Sequence, residues 1–254
     1  FIFIYKTDSE FVYDNSLTLR RYAMITAKMS LADIVKQYPQ TIPYLNNLHL
    51  DYCCGGHMPL DESFTDGSID LTSLINELNN IASQPVPQNK ESVESIEDFE
   101  KLSVNEMLDN LEATHHVTER EMMEQIEKLL NKILIVHYQH HGAELTKIHN
   151  LFARMKAELE EHFAKEERLI FPLMRSNHHP DKETLELISE LEGEHVDVGD
   201  MIKEMQELTN NFQVPADTCV TYANTFKLMK DFVEDIFVHV FKENSITFPE
   251  YAEQ

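Results

Sequence analysis

Tryptophan is absent from the 254-residue sequence, and glycine is scarce, with 6 residues. Leucine, glutamate, lysine, methionine and alanine instead recur at helical spacing, and these residues are strong helix formers. The composition therefore favours helices over a sheet.

Positive charge is also in short supply, because 21 Lys and Arg stand against 45 Asp and Glu and give a formal net charge of -24. No basic cluster offers the patch that releases counterions from a nucleic acid, and phosphates would be repelled. We therefore expect neither nucleic acid nor an anionic membrane as a partner.

Cysteine is sparse, with 3 residues, of which Cys53 and Cys54 are adjacent. An odd, sparse set is not a disulfide framework, which favours a reducing compartment. The apolar start of the chain is far too short to span a bilayer. We expect a soluble cytoplasmic protein, in which residues 1–28 are an extension of unknown role.

Two regions precede the longest helical pattern. Residues 29–83 predict a small helical domain, because Ser30 can cap a first helix, Pro39 ends it, and a last helix over 69–81 carries an apolar face. Residues 84–103 predict a linker, since their proline-containing, polar and charged start cannot bury enough apolar surface to fold by itself.

The rest of the chain, 104–254, has four long helical segments. They cover 104–137, 143–174, 182–211 and 216–247. Because short connections between long helices make antiparallel neighbours, this pattern predicts an up-down-up-down four-helix bundle. The predicted fold class is all-α, with a small helical N-terminal domain and this bundle.

The apolar stripe of the second segment turns polar at His162 and Glu166. The core positions before them are Ile148, Phe152, Met155 and Leu159, and the stripe is expected to resume at Leu169 and Leu173. In the fourth segment an apolar stripe leads in the same way to His239 and Glu243. Residues at i and i+4 share one helical face, so each segment turns a histidine and a glutamate toward the core.

These two segments also share a sequence motif. The pattern His-x-x-Lys-Glu-x-x-x-x-Phe-Pro starts at His162 and again at His239. The third segment adds His195 to an otherwise apolar stripe. In the first segment both His115 and His116 are compatible with apolar rows, and periodicity does not choose between them.

Two carboxylates buried in one layer are a problem for the fold, because each costs several kcal/mol to desolvate and the two repel each other. A pair of divalent cations between the two carboxylates would offset both the desolvation cost and the repulsion. Bridging glutamates from two helices with terminal histidines form the carboxylate-bridged dinuclear pattern, for which iron is the best match.

Other candidate residues lie outside this layer. His137 is too far along its helix to reach the same metal pair. We expect it either to have a role at the end of the bundle or in access to the site, or to be an ordinary surface histidine. Cys219, near a helix start, is expected to pack. Cys53-Cys54 lies in a turn, which favours thiol exchange or metal handling over a structural bridge.

The sequence resembles the Repair of Iron Centers family of di-iron proteins, also called iron-sulfur cluster repair proteins. The resemblance rests on Asp51-Tyr-Cys-Cys-Gly-Gly56, on the paired His-x-x-Lys-Glu motifs and on their Phe-Pro. It implies a hemerythrin-like bundle with two non-haem, oxo- or hydroxo-bridged irons. The implied ligands are His116, His162, Glu166, His195, His239 and Glu243, with both glutamates bridging.

The resemblance also implies a function, the repair of iron-sulfur clusters damaged by nitric oxide or oxidants. Iron donation or nitric oxide handling would achieve this, with Cys53 and Cys54 as a thiol relay. Implied partners are damaged iron-sulfur proteins, nitric oxide or O2, and an external reductant, and a homodimer is compatible. The alternatives are a hemerythrin-type sensor or carrier of O2 or nitric oxide, and a nitric oxide reductase.

Overall fold

The structure is a computed structural model that describes residues 24–63, 70–84, 95–177 and 179–253. Within these ranges the chain forms helices and no strand, apart from an isolated bridge between Ser30 and Pro59. The predicted all-α class is therefore confirmed. Residues 1–23 of the N-terminal extension and residues 85–94 of the predicted linker lie outside the described residues. No helix of the described ranges is long and apolar enough to cross a membrane.

The chain divides into two compact units. The first contains Phe1–Leu50 and His57–Ser92, and the second contains Asp51–Gly56 and Val93–Gln254. The sequence had placed the six residues from Asp51 to Gly56 in the small domain. In the structure they belong to the unit that contains the bundle.

The described residues of the first unit contain three α-helices, α1 (Leu31–Gln37), α2 (Ile42–Asn47) and α3 (Leu71–Ala82), and a short 3-10 helix over Pro39–Thr41. Ser30 caps α1, because its hydroxyl accepts a hydrogen bond from the backbone N–H of Asp33. The α3 helix begins after the predicted residue 69, since Asp70 acts as its cap by accepting from the N–H of Ser73.

The second unit contains the longest helices, and π-helical turns join several of its helices. The α-helices are α4 (Ile96–Phe99), α5 (Val104–Leu111), α6 (Val117–Lys165), α7 (Phe171–Ser176), α8 (Lys182–Leu208), α9 (Val220–Lys242) and α10 (Phe248–Ala252). The π-turns are Glu112–His116, Glu166–Ile170 and Glu243–Thr247.

Helix α6 supplies two of the four bundle segments, because it reverses direction. A straight helix would separate its ends by about 70 Å, yet Arg120 Nε lies 3.2 Å from Glu160 Oε2 and His149 Nε2 lies 2.7 Å from Asn131 Oδ1. Both pairs are centred on residue 140, where the sequence predicted a turn. The backbone stays helical through the reversal, which the sequence did not predict.

The fourth segment runs antiparallel to the first. Asn110 contacts Lys242 near one end of the pair, and His137 contacts Cys219 near the other. Because the start of the first segment lies beside the end of the fourth, residues near 116 and 239 come to the same level of the bundle.

The π-turns shift the phase of the apolar stripes. A π-turn takes an extra residue, so the residues after it point about one position away from where an α-helix would put them. After Glu166 the buried residues are Ile170, Phe171 and Met174. The predicted core residue Leu169 is exposed and Leu173 is only half-buried, so that part of the prediction is wrong.

The end of the predicted linker is part of the bundle unit. Helix α4 buries Ile96 and Phe99, and the ring of Phe99 lies 4.5 Å from the Nζ of Lys242, a cation–π contact. This helix could not be predicted from periodicity, because four residues are too few to show a helical period.

Replacing Phe99 should therefore destabilise the bundle unit. We expect Phe99→Ala to lower the free energy of unfolding by about 3 kcal/mol, since it removes a fully buried ring and leaves a cavity. Glu97→Ala, at an exposed position of the same helix, is the matched control. Equal denaturant midpoints for the two variants would contradict the packing.

Candidate metal centre

The six residues proposed as ligands lie in one buried layer of the bundle. They are His116, His162, Glu166, His195, His239 and Glu243. The first and third bundle segments contribute one histidine each, and the second and fourth contribute a histidine and a glutamate each. Two of the π-turns begin at the glutamates, and another ends at His116.

Each glutamate lies between two imidazoles. Glu166 Oε2 is 3.2 Å from His116 Nε2, and its Oε1 is 3.3 Å from His162 Nε2. Glu243 follows the same rule, because its Oε2 is 3.2 Å from His195 Nε2 and its Oε1 is 3.2 Å from His239 Nε2. Both carboxylates thus span from one histidine pair to the other.

The donor atoms form two overlapping groups that share both glutamates. One group adds His116 and His239, the other adds His162 and His195, and the donor atoms within each group lie within 4.8 Å of one another. Two four-donor groups that share their carboxylates are the arrangement in which two cations can lie side by side.

The unpaired atoms of this layer fit such cations. Among the described residues, the carboxylate oxygens of Glu166 and Glu243 are buried with no partner except the imidazole nitrogens that face them, and the Nε2 atoms of His116 and His239 likewise face only these carboxylates. A buried polar atom without a partner costs about 1–3 kcal/mol, and more when it is charged. The donor set of imidazole nitrogens and carboxylate oxygens is that of divalent transition metals.

The outward-facing nitrogen of every ligand histidine has an acceptor 2.9 Å away. Nδ1 of His116 faces Glu167, that of His162 faces Glu194, that of His239 faces Glu119, and that of His195 faces Asn244. Because a carboxylate or amide oxygen accepts, each Nδ1–H donates and the lone pair of Nε2 faces the layer. The tautomer required of a metal ligand is thereby fixed.

The repeated motif explains two of these partners. Glu167 and Asn244 each directly follow one of the two shared glutamates, and each accepts from the histidine of a neighbouring segment. The phenylalanines of the motif act as a pair as well. Phe171 stacks on His116 at 6.0 Å, and Phe248 stacks on His195 at 6.5 Å. The two motif copies thus build matching halves of one site.

Two models of known protein families match this chain. The model of the hemerythrin HHE cation binding domain matches residues 106–251, more than half of the chain. The chain belongs to the hemerythrin HHE family. A second model, ScdA_N, described as a domain of unknown function, matches residues 27–82.

Several relatives that align with most of this chain are named iron-sulfur cluster repair proteins. The chain is 28% identical over 228 residues to the iron-sulfur cluster repair protein ScdA of Staphylococcus epidermidis, which covers 89% of this chain and 98% of the relative. It is 25% identical to the YtfE repair protein of Enterobacter over 86% of this chain and 94% of the relative. A probable repair protein of Haemophilus influenzae is 25% identical over 89% and 97%. The resemblance to this family is confirmed.

Beside the six proposed ligands, the buried layer contains a further histidine, His115. His115 Nδ1 lies 2.9 Å from Asp235, and its ring stacks on His239 at 5.0 Å. Burial, opposed in part by Asp235, lowers the pKa of His115 to about 4. His115 and His116 both face inward, and only His116 faces a shared glutamate.

Without metal, the charges in the layer hold each other in place. Burial alone would lower the pKa of His162, but the charge of Glu166 and hydrogen bonds to Glu166 and Glu194 raise it to about 10. Burial would raise the pKa of Glu243, but the charge of His239 and the hydrogen bond from His195 lower it well below its ordinary value. The metal-free layer is therefore an ion cluster.

A surface cleft reaches the layer beside His162. It encloses about 160 Å³ and is lined by Glu158, Glu161, His162, Lys165, Glu194, Asp197 and Val198. Four carboxylates and one ammonium face this space, so its potential is negative and attracts cations.

The Cys-Cys segment packs within the bundle unit. Tyr52 is buried with its ring 5.9 Å from that of Phe241. Cys53 is buried too, and its Sγ lies 3.7 Å from that of the half-buried Cys54. The Cys54 hydrogen bond, burial and the charge of Asp51 raise the pKa of Cys53 well above its ordinary value, so Cys53 stays a protonated thiol at neutral pH.

The metal-free protein should lose stability as the pH rises. The pKa of His162 is raised from 6.5 to about 10, so its protonation favours the folded state below about pH 6.5, and this contribution is lost as the pH rises through about 10. Metal-loaded protein should hold its melting temperature over the same range, because a bound imidazole carries no proton on Nε2. Thermal denaturation of chelator-treated and reloaded protein checks this, and a flat profile for both forms would contradict it.

Proposed function

We propose that this chain binds two non-haem iron ions in the buried layer and uses them to repair iron-sulfur clusters damaged by nitric oxide or oxidants. The observation that carries the proposal is the placement of Glu166 and Glu243, each between two imidazoles and each without another partner. The repair role comes from relatives that carry both regions and are named iron-sulfur cluster repair proteins.

The six ligands would hold the two ions in equivalent positions. His116 and His239 would bind one, His162 and His195 the other, and both glutamates would bridge. When bound, the irons supply redox chemistry, coordination positions for nitric oxide or O2, and iron that a damaged cluster can receive. Iron is preferred to zinc because shared carboxylates with terminal imidazoles are the di-iron pattern.

The cleft beside His162 supports iron exchange. Its acidic lining would raise the local concentration of a divalent cation and guide it toward His162, whereas a neutral gas gains nothing from charge. This charge pattern favours movement of iron over a site built only to bind O2 or nitric oxide.

The Cys-Cys segment has a direct connection to a proposed ligand. Asn244 accepts from His195 Nδ1 at 2.9 Å, and its side-chain N–H donates to the backbone carbonyl of Cys53 at 3.4 Å. Movement of the Cys53 backbone can therefore reach the His195 ring through one side chain. We propose that Cys53 and Cys54 relay electrons, iron or a nitrosyl group to or from the iron site.

Client proteins, a reductant and a cellular compartment complete the proposed function. Damaged iron-sulfur proteins are the proposed clients, and an external reductant supplies electrons. A reducing, cytoplasmic compartment suits the free cysteines found among the described residues.

Removing both shared carboxylates should abolish metal binding. We expect Glu166→Ala with Glu243→Ala to reduce the iron content to background, because each proposed ion loses both of its oxygen donors. Metal analysis of anaerobically purified protein measures this. The control is Glu190→Ala with Glu250→Ala at exposed positions, and an unchanged iron content in the first variant would refute the ligand assignment.

Removing both thiols should separate repair from metal binding. Cys53→Ala with Cys54→Ala should retain its iron but lose most of its ability to reactivate an enzyme whose cluster has been damaged by nitric oxide. Reactivation rate and iron content are measured together, and Cys219→Ala is the matched control because this third cysteine is distant from the layer. Full reactivation by the double variant would contradict the relay.

The same preparation distinguishes the two alternative functions. Nitric oxide is added anaerobically to the reduced protein, and the products are measured. Catalytic nitrous oxide would indicate a reductase, and a stoichiometric nitrosyl complex without reactivation of the damaged enzyme would indicate a sensor or carrier.

A further inference from the structure

A second group of metal-binding side chains lies at the other end of the bundle. His137 is 21 residues after His116, about 30 Å along the helix at 1.5 Å per residue. The group has therefore no ligand in common with the layer of the shared glutamates. We infer that it is a separate binding site for a zinc-type divalent cation, formed by His137, His141, Asp217 and Cys219.

Two close pairs make up the site. Nε2 of His137 lies 3.2 Å from Sγ of Cys219, and Nε2 of His141 lies 3.2 Å from both carboxylate oxygens of Asp217. In a tetrahedral zinc site with bonds of about 2.0–2.3 Å, neighbouring donor atoms are about 3.3–3.7 Å apart. Each pair already has nearly the separation that two ligands of one ion need.

The two pairs are neighbours because of helical spacing. His137 and His141 are four residues apart in α6, and their ring centroids are 6.2 Å apart. Two imidazoles on one tetrahedral ion would have centroids about 5 Å apart, so the two rings would have to approach each other by about 1 Å to share an ion. The other two ligands come from the start of α9, separated by a single residue.

Tyr222 holds the two imidazoles in place. Its ring contacts that of His137 edge-on at 5.3 Å and that of His141 at 5.7 Å. The hydroxyl of Tyr222 is buried and has no hydrogen-bond partner, and the charges of Glu144 and Asp217 act on it. A buried hydroxyl with no partner among the described residues, on a ring that contacts both imidazoles, favours a polar ligand at this position.

Charge and protonation suit a dication. A thiolate and a carboxylate together carry the two negative charges that balance Zn²⁺, and the two imidazoles are neutral donors. The His137 hydrogen bond, with backbone N–H groups at the start of α9, lowers the pKa of Cys219 to about 7. Part of this thiol is therefore thiolate at neutral pH, the form that binds metal. Cys219 is exposed, contrary to the expected packing role, and can be reached from solvent.

The test measures how fast Cys219 is alkylated in the iron-loaded full chain, with and without Zn²⁺. Mass spectrometry of the digested protein reports Cys219 separately from Cys53 and Cys54, and the iron content is followed to detect displacement. We expect Zn²⁺ to slow alkylation of Cys219 at least about tenfold, because a bound thiolate is a poor nucleophile, and a chelator to restore the rate.

Variants of the second pair decide whether four ligands act together. His141→Asn and Asp217→Asn should each abolish the protection by Zn²⁺, while the rate without zinc stays within about twofold because neither side chain contacts Sγ. His149→Asn, on the same helix, is the matched control and should keep full protection. Absence of protection in the unmodified protein, or protection that survives in either variant, would overturn the site.

Discussion

The burial of two carboxylates at one level of a helical bundle is the constraint that organises the second unit. Glu166 and Glu243 are fully buried, and their oxygens have no protein donor other than the four imidazoles around them. An isolated buried charge costs several kcal/mol, so this layer needs positive charge, either from cations or from protonated histidines. The imidazoles, their outer acceptors and the π-turns can all be understood as ways of meeting that requirement.

Much of this layer could be predicted from the sequence, because an α-helix turns residues four apart to the same side. His162, Glu166, His239 and Glu243 interrupt otherwise apolar stripes and repeat one motif, and they lie together in the core. The choice between His115 and His116 could not be made in this way. The π-turn Glu112–His116 ends at these residues and both side chains are buried, so burial alone does not separate them, and only the contact of His116 with Glu166 does.

Interactions between helices were beyond the reach of the sequence. Glu119 and Glu194 are spaced like ordinary surface acids, and only the packing of the segments places them against His239 and His162. The position of Glu167 in the motif was a usable signal, because it directly follows the buried glutamate Glu166. The pair of His137 and Cys219 left no signal at all, since it depends on the reversal of α6 and the start of α9.

The differences between the two motif copies then acquire a physical meaning. Where one copy has Glu167, the other has Asn244, and a carboxylate could accept from His195 but could not also donate to the carbonyl of Cys53. The lysines differ as well, because Lys165 reaches Glu194 beside the cleft while Lys242 is buried against Phe99. The first motif copy thus faces a cation-attracting cleft through His162, whereas the second copy connects His195 to the Cys-Cys segment through the amide of Asn244. Both connections reach the same donor group, which contains His162 and His195.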